Sequence, residues 1–273
     1  MDIIRVRGGR SLKGEVRASG SKNAALPLMA AALLGEGESV LEGVPDLKDI
    51  QTMGKVLEGL GARVAFKGDS VAIDGSSMNK SEAPYELVRT MRASTYVLAP
   101  LLARLKEAKV SLPGGCAIGE RPVDLHLTGL KALGAELRID HGYIEGKVGA
   151  WKAGRTFLQG AKGPSVGATI QVMMAAAFCP GETQIQGAAL EPEVVDVADF
   201  MNAMGARVEG AGTVCVKIQG GRPLKGTHYK VMPDRIEAAT LLVAGAAGGG
   251  PVTVTGCPPS LMESSLLVLE EAG

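Results

Sequence analysis

The sequence predicts an α/β protein built from repeated βαβαββ units of about 70 residues. The strings GLGARV, ALGAEL and AMGARV place Gly61, Gly134 and Gly205 at intervals of 73 and 71 residues, and a weaker echo ends at Gly273. Hydrophobic residues make up 46% of the 273-residue chain, which is enough for a buried core, while aromatic residues are only 3%. Spacing of this kind indicates one supersecondary unit copied along the chain.

Each copy begins with an apolar helix that is followed by a β-rich run. The helical strings are NAALPLMAAALL, STYVLAPLLARL, ATIQVMMAAAF and EAATLLVAGAA. The runs that follow them are ESVLEGV, AKVSLPGG, ETQIQGA and GPVTVTG. A second, amphipathic helix, as over 47–60 and 122–133, then leads into the Gly-Ala turn.

A β-hairpin follows the Gly-Ala turn in the first three copies. The segment RVAFKGDSVAID turns at Gly68-Asp69, ELRIDHGYIEGKV turns at Gly142, and the GAG at 210–212 marks a third turn. The fourth copy reaches Gly273 where its hairpin would begin. We therefore expect three complete repeats, an incomplete fourth and a C-terminally truncated chain.

The starts of the first helices carry polar and basic residues at equivalent positions. Lys22, Arg92, Ser165 and Arg235 are spaced 70, 73 and 70 residues apart. A helix N-terminus presents free N–H groups and a partial positive charge, which favour anions. These positions indicate phosphate-binding sites, and ordinary N-capping is the alternative.

The segment LPGGCAIGERPVDLH at 112–126 is the strongest local signal for chemistry. Gly114 and Gly115 allow a ligand to approach the backbone closely, and Arg121 follows Cys116 before the next helix. A cysteine among basic groups is a candidate nucleophile or general acid, with a merely structural role as the alternative. The other three cysteines lie in apolar runs and are predicted to be structural: Cys179, Cys215 and Cys257.

Charge and composition exclude several classes of protein. Lys and Arg number 29, as do Asp and Glu, so the basic excess of a general nucleic-acid binder is absent. The cysteines form no CxxC pair, which argues against a zinc site or a disulfide framework and favours a reducing compartment. His126, His141 and His228 fall in separate repeats, so no metal triad is expected.

No membrane or secretory segment is expected either. Residues 238–262 carry no charge, but glycines and prolines interrupt them, so we predict a buried helix, a turn and a buried strand. The N-terminus has no apolar run of the secretory type. We expect a cytoplasmic protein that does not contact a membrane.

Several motifs together resemble the bacterial UDP-N-acetylglucosamine enolpyruvyl transferase family (1-carboxyvinyltransferases). They are GSKNAALP at 20–27, TMRAS at 90–94, LPGGCAIGERPVDLH at 112–126, SVGAT at 165–169, EPEVVD at 191–196 and PDRIE at 233–237. The resemblance implies an inside-out α/β barrel made of these repeats, the enolpyruvyl transferase fold. It also implies an incomplete first domain, 1–21 with 230–273, and a complete inserted three-repeat domain, 22–229.

The resemblance assigns site residues position by position. It makes Cys116 the general acid that protonates the methylene carbon of phosphoenolpyruvate, and the cysteine that fosfomycin alkylates. Phosphoenolpyruvate would be bound by Lys22, Asn23 and Arg121. UDP-N-acetylglucosamine would be bound by Asn23, Arg92, Arg121, Pro122, Val123, Asp124, Leu125, Gly163, Pro164, Ser165 and Val166, although Gly163-Pro164 departs from the commoner sequence there. No metal and no organic cofactor is implied.

The implied reaction transfers the enolpyruvyl group to the 3-hydroxyl of UDP-N-acetylglucosamine with release of phosphate. It is the first committed step of peptidoglycan precursor synthesis. In the family, an aspartate that handles the sugar hydroxyl proton and arginines that clamp the carboxylate lie beyond position 273. Asp49, Asp124 and Asp196 do not match that aspartate, so the chain alone is expected to be catalytically impaired.

Three alternatives remain open. The related transferase of the shikimate pathway shares the fold and the donor, but its loop lacks the Gly114-Gly115-Cys116 signature. RNA terminal phosphate cyclase uses similar repeats but would call for a basic face. A non-catalytic binding module is the third, and it would bind the UDP-sugar without turning over phosphoenolpyruvate.

Overall fold

A computed structural model of the chain describes residues 3–5, 7–88, 91–112 and 123–273. The contacts divide the chain into two compact units. Unit 1 is formed by Met1–Ser21 with Pro233–Gly273, and unit 2 by Lys22–Met232.

Helices and strands alternate along the chain. The helices are α1 (Lys22–Ala31), α2 (Lys48–Gly59), α3 (Tyr85–Val88), α4 (Leu98–Leu105), α5 (Asp124–Ala132), α6 (Val166–Ala176), α7 (Pro192–Ala203), α8 (Arg235–Gly248) and α9 (Glu263–Ala272). Short 3-10 helices cover Ala32–Leu34, Arg92–Val97 and Pro259–Leu261. The strands are β1 (Gly14–Arg17), β2 (Glu38–Glu42), β3 (Arg63–Lys67), β4 (Ser70–Asp74), β5 (Glu107–Ser111), β6 (Glu136–Asp140), β7 (Tyr143–Lys147), β8 (Arg155–Phe157), β9 (Gln159–Gly160), β10 (Gly163–Pro164), β11 (Gly181–Gln186), β12 (Val208–Glu209), β13 (Cys215–Gly220), β14 (His228–Lys230) and β15 (Val252–Thr255).

The described part of unit 2 contains three sheets with the strand orders β14-β2-β4-β3, β5-β7-β6 and β12-β13-β11-β8, and a short β9–β10 pair. The predicted hairpins are confirmed. Strands β3 and β4 turn at Gly68 with a φ of 61°, and β6 and β7 turn at His141 and Gly142 with φ values of 45° and 82°. In the His141–Gly142 turn both φ values are positive, and such a turn matches the right-handed twist of the strands that it joins.

The core of unit 2 is made by helices that are apolar on nearly every side. In α1 every residue from Ala24 to Ala31 is buried, and in α6 every residue from Ala168 to Ala176. The second helices end at Gly61, Gly134 and Gly205, whose φ values are 95°, 96° and 105°. A side chain at such a φ would be strained, so glycine ends each helix and lets the chain turn toward the next strand.

The predicted second apolar helix over 94–105 is interrupted. Its first part, Arg92–Val97, is a 3-10 helix, and α4 begins only at Leu98. Pro100 has no N–H to donate to the carbonyl of Tyr96, so the turn before α4 lacks one α-helical hydrogen bond. Pro100 lies in the first turn of α4, where proline is tolerated.

Unit 1 pairs β1 with β15 in parallel and packs α8 against β15 and α9. The prediction that 238–262 is a buried helix and strand is wrong as to burial. Within α8 only Ala238 and Gly245 are buried, and Val252–Thr255 is partly exposed. An apolar helix is buried only where other elements cover its faces, and α8 is covered on few of them. No helix in the described ranges is long and apolar enough to cross a membrane.

Candidate active site

Predicted binding residues lie at the starts of helices, as the sequence indicated. Lys22 and Asn23 begin α1, Arg92 begins the 3-10 helix, and Asp124 begins α5 directly after Val123. Such ends offer unpaired N–H groups and the positive end of the helix dipole. The described side chains at these positions are partly or fully exposed, so a ligand can reach them.

Ser165 caps α6 in the way that the N-capping alternative describes. Its backbone is extended, and its Oγ accepts a hydrogen bond of 3.3 Å from the N–H of Ala168. The hydroxyl is therefore already engaged with its own helix. The free N–H groups of the first turn remain the feature that could bind an anion.

Lys22 forms an ion pair that was not predicted from the sequence. Its Nζ lies 2.9 Å from Oδ2 of Asp49, in the first turn of α2. Both side chains are about two-fifths exposed, at 37% and 40%. Asp49 therefore orients the ammonium group of Lys22 at the start of α1 while leaving it accessible.

The predicted nucleotide-sugar residues of α5 and α6 are brought together. Helices α5 and α6 pack on each other. The Leu125 side chain lies against Gly160, about 3.6 Å from where a Cβ would stand there. Gly160 pairs with Gly163, and Gln159 with Pro164, in the β9–β10 hairpin that leads directly into Ser165. Leu125, Gly163 and Pro164 thus line one region of unit 2 at the start of α6.

Some predicted residues lie outside what the structure describes. Cys116, Arg121 and Pro122 fall in the range 113–122, and Arg92 is described by its backbone alone. Arg235 belongs to unit 1, where it follows Asp234, the cap of α8. The Oδ1 of Asp234 accepts hydrogen bonds from the N–H groups of Ile236 and Glu237 at 2.9 and 3.0 Å.

The remaining cysteines have the features of structural residues. Cys179 is buried, and burial raises the pKa of its thiol to about 11. Cys257 is also buried, and burial raises its pKa as well. Cys215 is half-buried at the start of β13. A thiol with a raised pKa holds little thiolate at neutral pH and reacts slowly, so Cys179 and Cys257 are unsuited to nucleophilic chemistry.

Two buried polar residues near the helix starts were not assigned from the sequence. His126 is 5% exposed and Gln171 is fully buried, and the Gln171 amide nitrogen lies 3.1 Å from Nδ1 of His126. The sequence feature that could have indicated this pair is a lone histidine, His126, on the apolar face of an amphipathic helix. By contrast, His141 and His228 lie at the surface beside Asp140 and Glu42. Among the described residues no group of three histidine, cysteine or acidic side chains is arranged as a metal site.

A groove of about 550 Å³ lies elsewhere in unit 2, on the β5-β7-β6 sheet. Ion pairs line it, with Lys109 Nζ 3.1 Å from Glu82 and Arg138 2.6 Å from Glu145. None of the predicted site residues that the structure describes lines this groove. Because these charges pair with each other, we interpret the groove as an ordinary solvent-exposed face of the sheet.

Comparison with known proteins places the chain in a family. The family described as EPSP synthase (3-phosphoshikimate 1-carboxyvinyltransferase) matches residues 6–273. The chain belongs to the EPSP synthase family. Within this family its curated relatives include proteins named UDP-N-acetylglucosamine 1-carboxyvinyltransferase. The one from Trichlorobacter lovleyi is 49% identical over 277 residues, and the one from Geobacter metallireducens is 49% identical over 273 residues.

These EPSP synthase family relatives are longer than this chain. The alignments cover 100% of this chain but 65% of each relative. Among solved structures, the enolpyruvyl transferase NikO from Streptomyces tendae matches with a TM-score of 0.81 and 25% identity, over 96% of this chain and 61% of that one. An EPSP synthase from Acinetobacter baumannii matches with a TM-score of 0.71 at 19% identity, over 97% of this chain and 60% of that one. The latter match shows the α/β fold alone.

Proposed function

We propose that this chain serves the transfer of an enolpyruvyl group from phosphoenolpyruvate to the 3-hydroxyl of UDP-N-acetylglucosamine, with release of phosphate. The observation that carries the proposal is the 49% identity, over the whole chain, to relatives named for that activity. The helix starts of unit 2 support it, because their free N–H groups and Lys22 suit the phosphates of both substrates. The product would enter peptidoglycan precursor synthesis in the cytoplasm.

In the proposed reaction the sugar hydroxyl adds to C2 of phosphoenolpyruvate while an acid delivers a proton to C3. The hydroxyl proton passes to a base. The tetrahedral adduct then loses phosphate from C2 and a proton from its C3 methyl group, which restores the C2–C3 double bond and leaves the enolpyruvyl ether. Lys22, held by Asp49, would offset charge on the phosphate. Cys116 as the acid, with Arg121 beside the phosphate, rests on the sequence motif, because both lie outside the described residues.

The acceptor is proposed to be a nucleotide sugar rather than 3-phosphoshikimate. Two EPSP synthase structures from Acinetobacter baumannii are 19% and 18% identical to this chain, so they show its fold and do not identify its acceptor. The Gly114-Gly115-Cys116 loop also favours the UDP-sugar. Leu125 beside the β9–β10 hairpin would form an apolar wall for it.

We further propose that the fold is the repeated βαβαββ architecture, closed into inside-out α/β barrels. Gly61, Gly134 and Gly205 support it, because each follows a second helix with nearly the same φ. A domain formed by 1–21 with 230–273, and a domain inserted as 22–229, complete this proposal. The division of contacts after Ser21 and Met232 supports it.

Binding of UDP-N-acetylglucosamine to the 273-residue chain tests the proposal, with isothermal titration calorimetry as the measurement. We expect binding that Arg92→Gln weakens, while Arg155→Gln, at an exposed arginine that begins β8, leaves it unchanged. 3-Phosphoshikimate is expected not to bind. Binding of 3-phosphoshikimate in preference to the UDP-sugar would overturn the proposed acceptor.

Phosphate release from phosphoenolpyruvate, with and without UDP-N-acetylglucosamine, tests the reaction. Any release is expected to depend on the UDP-sugar and to disappear in Cys116→Ala. Release that does not need the UDP-sugar, or that survives in Cys116→Ala, would contradict the proposed chemistry. Binding of the UDP-sugar without release would instead favour the non-catalytic module.

A further inference from the structure

A single buried amide links three segments of unit 2. Gln171 in α6 is fully buried, and its Nε2 donates a hydrogen bond of 2.9 Å to the backbone carbonyl of Thr95. The same nitrogen lies 3.1 Å from Nδ1 of His126 in α5. The two partners are 76 and 45 residues away in the chain, so this contact is tertiary.

The chemistry of the three groups fixes their orientation. The Thr95 carbonyl can only accept, so the nitrogen of the Gln171 amide, rather than its oxygen, must face it. An NH₂ group has two hydrogens, and the second points to His126. Nδ1 of His126 therefore accepts, which places the proton of the neutral ring on Nε2. Flipping the amide would set its oxygen against the Thr95 carbonyl, so the observed orientation is favoured, and in it the buried Oε1 of Gln171 has no hydrogen-bond partner among the described residues.

Two glycines let the helices approach closely enough for this contact. A Cβ at Gly129 of α5 would stand 2.3 Å from Cγ2 of Val172, and a Cβ at Gly167 of α6 would stand 2.7 Å from Cε1 of His126. Both distances are shorter than a normal non-bonded contact, so a neighbouring atom would have to move. A side chain at either position would displace Val172 or the His126 ring, and it would thereby disturb the contact between His126 and Gln171.

The three linked segments are the ones that carry the predicted nucleotide-sugar residues. Thr95 is in the 3-10 helix that begins at Arg92, and His126 is in the first turn of α5, which begins at Asp124. Gln171 is in the second turn of α6, the helix that Ser165 caps. The junction thus connects the starts of three helices on their buried side, and it does not occupy their solvent-exposed side.

We propose that the His126–Gln171–Thr95 junction is a positioning element for the nucleotide-sugar site. It holds the starts of the 3-10 helix, α5 and α6 in fixed register, so that their N–H groups and first side chains converge on one ligand before it arrives. A site organised in advance avoids the cost of ordering its segments on binding. The identity of the ligand rests on the proposed function, whereas the coupling of the three helix starts does not.

Gln171→Met tests the junction, because methionine has nearly the same length but cannot donate. Amide hydrogen exchange is expected to accelerate in all three segments, 92–97, 124–128 and 166–171. The dissociation constant for UDP-N-acetylglucosamine, measured by calorimetry, is expected to rise about five- to tenfold, the effect of one or two lost hydrogen bonds.

His126 offers a rescue that a simple loss of packing would not show. His126→Leu removes the acceptor and is expected to behave like Gln171→Met. His126→Asn can place its Oδ1 near the position of Nδ1, so it is expected to recover most of the affinity for the UDP-sugar.

Asn202→Leu is the matched control for a general loss of stability. The Asn202 side chain accepts from the N–H of Val208 at 2.7 Å and donates to its carbonyl at 3.0 Å, at the far end of α7. This variant is expected to speed exchange around 202–208 and to leave the affinity for the UDP-sugar unchanged.

Exchange that accelerates only within α6, or an equal loss of affinity in Asn202→Leu, would overturn the proposal. Failure of His126→Asn to bind better than His126→Leu would also count against it. If the unaltered chain did not bind the UDP-sugar, the proposed function would fail. The exchange pattern of Gln171→Met would then still decide whether the three helix starts are coupled.

Discussion

Helices α6 and α8 are similar in sequence but differ greatly in burial. Both are nearly free of charge after their first turn, and each begins at a residue whose side chain accepts from the first turn, Ser165 and Asp234 respectively. In α6 every residue from Ala168 to Ala176 is buried. In α8 only Ala238 and Gly245 are, and Val243 is 51% exposed.

The difference comes from what packs around each helix. Helix α6 contacts α4, α5 and α7 as well as the strands β11 and β13, so apolar neighbours cover all of its faces. Helix α8 packs on β15 and α9 within unit 1. Apolar composition therefore specifies the helix, whereas the number of neighbouring elements decides how much of its stability comes from burial.

The largest expected effect concerns the surroundings of α6. Helix α7, which packs on α6, carries a buried carboxyl group, Asp196. Burial raises the pKa of Asp196 to about 6, although the Tyr229 hydroxyl donates to its Oδ1 at 2.8 Å. In the unfolded chain an aspartate titrates near 3.9. Between about pH 4 and pH 6 the native state therefore holds a proton that the unfolded state has lost. The Asp196 contribution to stability thus falls as the pH rises through this window, and is flat above it.

We expect Asp196→Asn to gain stability relative to the unaltered chain as the pH rises from 4 to 7, by up to about 3 kcal/mol. Urea unfolding followed by the fluorescence of Trp151, the single tryptophan of the chain, gives this difference at each pH. Tyr229→Phe removes a hydrogen bond that lowers the pKa of Asp196, so it should move the window to higher pH. A difference between the chain and Asp196→Asn that does not change with pH would contradict the buried, protonated carboxyl.

A matched pair of substitutions tests burial directly. Val172→Ala in α6 removes two methyl groups from a fully buried side chain, whose Cγ2 lies against Gly129 of α5, and we expect it to cost about 2 kcal/mol. Val243→Ala in α8 removes the same groups from a half-exposed position. It should change stability by less than about 0.5 kcal/mol, because alanine also favours the helix. Urea unfolding measures the first variant and amide exchange within α8 the second, and equal losses would show that α8 is covered as fully as α6.

Local patterns predicted the elements well but not their surroundings. The turns at Gly68 and Gly142 and the helix over 47–60, observed as Lys48–Gly59, followed from glycine placement and from the spacing of apolar residues. The burial of 238–262 did not follow, because it depends on which elements surround α8. The break before Leu98 did not follow from a proline in the sequence alone, because Pro27 lies inside α1 without interrupting that helix, whereas Pro100 lies in the first turn of α4.

The candidate site shows the same division. The positions of its residues at helix starts were predicted, since the repeat spacing and the polar residues before each apolar run are local features. The Lys22–Asp49 pair and the partners of Gln171 were not. They join residues 27, 45 and 76 positions apart, and no periodicity in one sequence specifies such pairs.

The smallest expected difference concerns the N-caps of α8 and α6. It tests whether the stability of a helix with few buried residues depends more on its N-cap hydrogen bonds than that of a buried helix. Asp234→Ala removes two hydrogen bonds to the start of α8, of 2.9 and 3.0 Å, and should cost about 1 to 2 kcal/mol. Ser165→Ala removes one longer bond of 3.3 Å from α6 and should cost about 0.5 kcal/mol, because packing holds that helix in place. Amide exchange at 236–240 and at 168–172 measures the two effects, and Asp234→Asn, which keeps an acceptor, should restore the first. Equal acceleration in both helices would mean that α6 relies on its cap as much as α8 does, and that burial does not replace capping in this fold.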